Sequence, residues 1–133
     1  MYPLSVPETH TSLRKDSMLY HICIPAEWAE AQQQGHHSPA SLAKEGFVHA
    51  STKAQVVATA NRYYRGHSTL FLLEIEEAAV SSSLRWEKAS PTTEETHGQS
   101  FPHIYQVLPL DAIVRAHEWR ATETGEFVWL EGW

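Results

Sequence analysis

The chain has 133 residues, a net charge of −6 and a pI of about 5.8. With 42% hydrophobic, 20% charged and 11% aromatic residues it has the composition of one globular domain, not of a disordered chain. Its acidity excludes a broad nucleic-acid-binding face but allows a small cleft of local positive charge.

Cys23 is the single cysteine, so no intrachain disulfide forms and an oxidising compartment is not implied. In its apolar setting it reads as a small core residue, not a nucleophile. No run approaches the roughly 18 apolar residues of a membrane span. The opening stretch MYPLSVPETHTSLRKDS lacks the apolar core of a signal peptide, so the expected location is the cytoplasm.

Residues 1–17 are polar and aperiodic and read as a flexible tail, leaving 18–133 as the folded domain. From Met18 the run Leu19-Tyr20-His21-Ile22-Cys23-Ile24 predicts a first strand. Pro25 suits the first turn of a helix over Pro25–Gln34, which Gly35 ends. His36 to Pro39 reads as a polar connection with solvated histidines, followed by a short helix over Ala40–Glu45. Gly46 breaks that helix, and Phe47–Ala50 predicts a second strand. Thr52 and Gln55 form a T-x-x-Q capping signature for a helix to about Tyr64, so the Ser51 hydroxyl need not serve as the cap.

Leu70–Ile75 predicts a central strand covered on both faces. Glu76 to Ala79 reads as a turn or short helical element, and Leu84–Lys88 as a fourth strand. Ala89 to Ser100 is a long polar loop. His103–Val107 and Ala112–Trp119 predict the next two strands, with a turn at Pro109-Leu110-Asp111, and Phe127–Leu130 a last one. The expected class is α+β: a single domain of two small, mostly antiparallel sheets forming a cleft, with two main helices in the N-terminal half. No G-x-G-x-x-G occurs, so any nucleotide is held by something other than a Rossmann loop.

Of the nine histidines, His21, His49, His103 and, as a weaker case, His117 lie in apolar strand-like runs, and the first three predict one shared cleft. Each is also readable as a hydrogen-bonded core residue. Converging histidines are compatible with zinc, but H-E-x-x-H and C-x-x-C pairs are absent, and no residue is assigned to a metal. His49 and Ser51, two apart on a strand, project from one face. A histidine–serine catalytic pair lacks the expected G-x-S-x-G, which favours a binding role for both. Glu87 stands just before the long loop as a candidate acid. Tyr63 and Tyr105 could stack on a planar ring while their hydroxyls form hydrogen bonds.

The order YHI, a tryptophan, SLAKEGFVHAS, a helix with Ala60-Asn61-Arg62-Tyr63-Tyr64, and FPHIY resembles the DUF952 family from Met18 to about Phe127. More distantly the segment order is similar to the ADP-ribosyltransferase fold, in its tRNA 2′-phosphotransferase branch. That second resemblance implies a cleft between two small sheets that takes NAD, as a substrate, or an ADP-ribose-like group. It implies that His21 holds a ribose hydroxyl, and that His49 and Ser51 line the phosphate or ribose site. Transferases of this fold often place a glutamate on the late strand, where this chain has His103 and Tyr105, and Glu87 stands one strand early. A histidine there can still act as acid or base near neutral pH.

The expected catalytic residues are therefore His21, His103 and Glu87, and the expected binding residues His49, Ser51, Tyr63 and Tyr105. The leading expectation is an NAD-dependent transferase or glycohydrolase, or a binder of such a nucleotide-like ligand. The alternatives are a catalytically silent ligand-binding or protein-interaction domain and, third, a metal-dependent hydrolase. No membrane partner is expected, and the oligomeric state is open.

Overall fold

The computed structural model describes residues 17–88 and 98–133. The predicted tail, but for Ser17, and most of the predicted polar loop lie outside them. Eight strands and four helices follow in order: β1 (Met18–Cys23), α1 (Pro25–Gln34), β2 (His36–His37), α2 (Ala40–Glu45), β3 (Val48–His49) and α3 (Lys53–Tyr63). Next come β4 (Thr69–Glu76), α4 (Glu77–Val80), β5 (Leu84–Lys88), β6 (Ser100–Ile104), β7 (Leu108–Pro109) and β8 (Ile113–Arg120), with 3₁₀ turns before β5 and β8.

The strands form three small antiparallel sheets, ordered β1-β4-β8, β2-β7 and β3-β6-β5. The α+β class and the two main helices match expectation. The small β2-β7 sheet does not: His36 and His37 are paired with Pro109 and Leu108 instead of forming a free connection.

β4 is the centre of the first sheet, and Leu70, Leu72, Leu73 and Ile75 are all fully buried. Alternation sends Leu70 and Leu72 to a face shared with Val56 and Ala60 of α3, Trp119 and Phe127. Ile75 goes to the opposite face, with Leu19, Val48, Ile104 and Leu108. Each buried leucine or isoleucine contributes roughly 1.5–3 kcal/mol. The apolar run of β4 is thus explained by cover on both sides.

The helices start and stop where their residues dictate. Pro25 opens α1, and Gly35, at φ 84°, turns the chain so that its N–H reaches Ala31 O at 2.8 Å. Thr52 caps α3, its own N–H donating to Gln55 Oε1 at 3.0 Å. This is the bond that the T-x-x-Q spacing predicts.

Two strands depart from expectation. β6 spans Ser100–Ile104, so Tyr105 lies just past its end, where its N–H donates to Ser83 O at 2.8 Å. Pro102 is tolerated inside this central strand because its backbone faces the side on which β3 has already ended, its carbonyl accepting from Ala50 N. Phe127–Leu130 is not a strand. Side chains take its backbone groups: Asn61 Oδ1 accepts from Phe127 N at 2.8 Å, Asn61 Nδ2 donates to Phe127 O at 2.9 Å, and Trp119 Nε1 donates to Val128 O at 2.8 Å.

The first and third sheets meet at one isolated bridge, Tyr20 with Ser51, whose two backbone hydrogen bonds are each 2.8 Å. This bridge sets β3, and the histidine it carries, against the core sheet.

Candidate functional site

The β3-β6-β5 sheet gathers the chemistry. In its register His49 lies opposite His103, which lies opposite Arg85, while Glu87 lies opposite Phe101. A period of two puts His103 and Phe101 on one face of β6, and Tyr105 continues that spacing past the strand's end. Gly46, at φ 92°, turns the chain out of α2 into Phe47, and a Cβ there would stand 4.0 Å from the Tyr105 ring. The Phe47 ring stacks on His103 at 4.0 Å between centroids and lies 4.8 Å from the His49 ring and 5.2 Å from the Tyr105 ring.

A single carboxylate oxygen ties this face together. Glu87 Oε1 accepts from His103 Nδ1 at 2.6 Å and from the Tyr105 hydroxyl at 2.7 Å. The Arg85 guanidinium lies 5.0 Å from the centre of the Tyr105 ring. The Tyr105 hydroxyl bond, then that from His103, holds the Glu87 carboxyl below the usual range, and the same Glu87 contact raises the Tyr105 phenol. An ionised carboxylate only accepts, so His103 carries its proton on Nδ1 and, when neutral, leaves Nε2 as a bare acceptor. Among the described residues no side chain or backbone group hydrogen-bonds to that nitrogen. His49 is more open, its side chain 55% exposed and paired with Glu45 Oε1 at 2.7 Å.

His21 belongs to a neighbouring, buried arrangement. Its Nδ1–H donates to the His49 backbone carbonyl at 2.6 Å, and its Nε2 meets His37 Nε2 at 3.0 Å. With Nδ1 donating, His21 Nε2 must accept, so His37 carries the proton between them. Burial, followed by the neighbouring His37, pushes the His21 pKa down to about 3. Burial also lowers His37.

His49, His103, Tyr105 and Glu87 are therefore brought together. His21 reaches them only through the His49 carbonyl. Ser51 is buried, its backbone paired with Tyr20 and its hydroxyl 3.5 Å from Thr59 Oγ1. Tyr63 stands apart at the end of α3, 64% exposed, under the Arg62 guanidinium.

Three participants escaped the sequence reading. Phe47 was in view within GFVHAS, and Arg85 shares the alternation of Glu87, which is the signal that could have found it. His37 gave none, because its burial depends on pairing with Leu108, far along the chain. Elsewhere, buried Glu74 accepts from His117 Nε2 and lies 3.6 Å from Arg115, with Trp133 stacked on His117. Among the described residues no group of three or more His, Cys, Asp or Glu side chains is placed to hold a metal. Among the described residues no helix is long and apolar enough to cross a membrane.

The fold is shared with solved proteins. The crystal structure of protein CC0527 from Caulobacter crescentus is 29% identical in sequence with a TM-score of 0.74, the match covering 84% of this chain and 93% of that one. The solution structure of CC0527 gives a TM-score of 0.68 at 29% identity, over 83% of this chain and 90% of that one. Among curated proteins none matches the chain. The model of DUF952, a protein family of unknown function, matches residues 22–116 and so takes in GFVHAS, Glu87 and FPHIY, and the chain belongs to the DUF952 family.

Proposed function

We propose that the β3-β6-β5 face binds a nucleotide-like ligand, NAD or an ADP-ribose-containing compound, and that it acts at the ribose. The observation that carries this reading is the shared contact of Glu87 Oε1 with His103 and Tyr105 beside the Phe47 ring. Phe47 and Tyr105 offer apolar ring surface to a planar base. His103 Nε2, its tautomer set by Glu87, accepts from a ribose hydroxyl.

The same residues suit cleavage of the nicotinamide–ribose bond. In that step the electron pair leaves with nicotinamide and a positive oxocarbenium-like ribose remains. Glu87, held ionised and partly exposed, faces that charge, and His103 Nε2 takes the proton of the attacking water or hydroxyl. Glu87 thereby fills the role that the late strand leaves to histidine and tyrosine. It arrives from the adjacent strand. His21 acts as a positioning residue, fixing the His49 peptide from behind the sheet.

Calorimetric titration with NAD and with ADP-ribose, alongside chromatographic measurement of nicotinamide release, tests the proposal. Binding that is lost in His103→Gln, with release lost in Glu87→Gln, is the expected result. Binding without any release reduces the protein to a ligand-binding domain. Absence of both at millimolar nucleotide sinks the reading.

A further inference from the structure

β5 is an edge strand. Among the described residues only β6 pairs with it, in a register that runs from Leu84 opposite Ile104 to Lys88 opposite Ser100 without a bulge. The neighbouring strand fixes which way its backbone points. Pro102 turns its carbonyl to Ala50 on the β3 side, while the Tyr105 N–H reaches Ser83 O on the β5 side. Trp86 lies opposite Pro102, so its own N–H and C=O point away from β6. Leu84 and Lys88 follow the same alternation, with the Leu84 N–H already held by Ser81 O. Trp86 is 46% exposed. Neither proline nor bulge blunts this edge.

The edge sequence Leu84-Arg85-Trp86-Glu87-Lys88 is complementary to itself. Turned antiparallel about Trp86, it sets Arg85 opposite Glu87, Leu84 opposite Lys88 and Trp86 opposite its own copy. We infer that β5 pairs with β5 of a second copy of this chain, joining two three-stranded sheets into one about a twofold axis. In that register the Trp86 N–H donates to Trp86 O of the partner subunit, and the Lys88 N–H to the partner's Leu84 O, each with its symmetry mate. The Leu84 N–H is not needed. Arg85 and the partner's Glu87 form a non-hydrogen-bonded pair, Cα atoms about 4.5 Å apart, with side chains on the His103 face. Both hydrogen bonds that Glu87 accepts fall on Oε1, so among the described residues Oε2 is open to that guanidinium. The partner thus adds a cation to each candidate site, while the two indoles meet on the opposite face. The pairing closes an edge and opposes unlike charges whether or not the face binds a nucleotide. A contact along one five-residue edge falls at the small end of specific interfaces, which begin near about 1,200 Å², so the dimer forms with rising concentration.

Sedimentation velocity of the full chain from about 1 μM to about 1 mM reads the assembly. The wild type is expected to pass from monomer to dimer, with Trp86 and Lys88 amide exchange slowing over the same range. Arg85→Glu sets like charges opposite each other on both sides of the axis and weakens association about tenfold or more. Adding Glu87→Arg to it restores the opposition and recovers most of the loss. Trp86→Pro removes a donor that no described residue uses, a change that edge strands tolerate, and leaves a monomer. Unchanged amide spectra away from β5 and β6 verify that the variants fold. A wild type that stays monomeric at about 1 mM overturns the dimer. A dimer insensitive to Arg85→Glu and to Trp86→Pro, or a double variant as weak as the single one, overturns the β5 register. A monomer whose Trp86 amide exchanges slowly at every dilution shows that another part of the chain covers the edge, which also overturns it.

Discussion

The buried imidazole pair makes stability depend on pH in a way that one substitution isolates. His21 has a folded pKa of about 3 against an ordinary 6.5. Between those values the unfolded chain holds a proton that the folded chain does not. The contribution is therefore fully present above pH 6.5 and is lost progressively as pH falls toward 3. Each unit of depression is worth about 1.4 kcal/mol, so the interval amounts to on the order of 5 kcal/mol. A typical domain has only about 5–15 kcal/mol of total stability, so acid should unfold this one early.

The groups facing His21 shape the effect. His37 and the His49 carbonyl contact it directly, while Glu30 on α1 favours the charged form of His37. The first proton therefore goes to the outer nitrogen of His37, where the hydrogen bond to His21 survives. His21 itself resists. Replacing it by glutamine removes the titration and costs roughly 1–3 kcal/mol at neutral pH through the lost hydrogen bonds. Urea denaturation of both proteins at intervals from pH 7.5 to 4.5 reads the difference. The wild type should lose stability more steeply below pH 6.5, by up to about 1.4 kcal/mol per pH unit, than His21→Gln. Parallel pH dependences would refute the buried-neutral assignment.

Two further outcomes follow from contacts described above. Glu87→Gln removes the carboxylate that raises the Tyr105 phenol, so one tyrosine should ionise at lower pH in the variant; identical ultraviolet titration curves would mean that the contact does not form in solution. Asn61→Ala strips the Phe127 backbone of both its side-chain partners, so thermal melting should show a loss of about 2 kcal/mol, and a change within 0.5 kcal/mol (roughly the surface-mutation range) would argue that water replaces them freely.

Local chemistry made much of this molecule legible. Pro25 and Gly35 bound α1, Thr52 and Gln55 start α3, and the unbroken apolar run of β4 marks the centre of the first sheet. GFVHAS and FPHIY were readable as strands because alternation and flanking glycine or proline are local signals. Their mutual register was not. The pairing of His49 with His103 depends on chain segments more than fifty residues apart, and the position of Glu87 beside them depends on β5 folding back onto β6. His37 shows the same limit: two adjacent histidines in a polar stretch look solvated until Leu108 and Pro109 arrive as partners. Phe127–Leu130 misled for the opposite reason. Its apolar run is real, but side chains of Asn61 and Trp119 satisfy the backbone that a neighbouring strand would otherwise have taken.

The bridge between Tyr20 and Ser51 has a mechanical consequence. A broad ladder would make the two larger sheets one stiff plate. Here the described backbone joins them by two hydrogen bonds, with the His21–His49 bond beside them. A ligand drawing on the His49 strand thus works against those bonds, on the order of 1–3 kcal/mol, and against the buried contacts of Val48 and Ile104 with Leu19 and Ile75. Ser51 is thus the one place where the two sheets share described backbone, and the apolar packing of Val48 and Ile104 on Leu19 and Ile75 holds the outer sheet in register with the inner one.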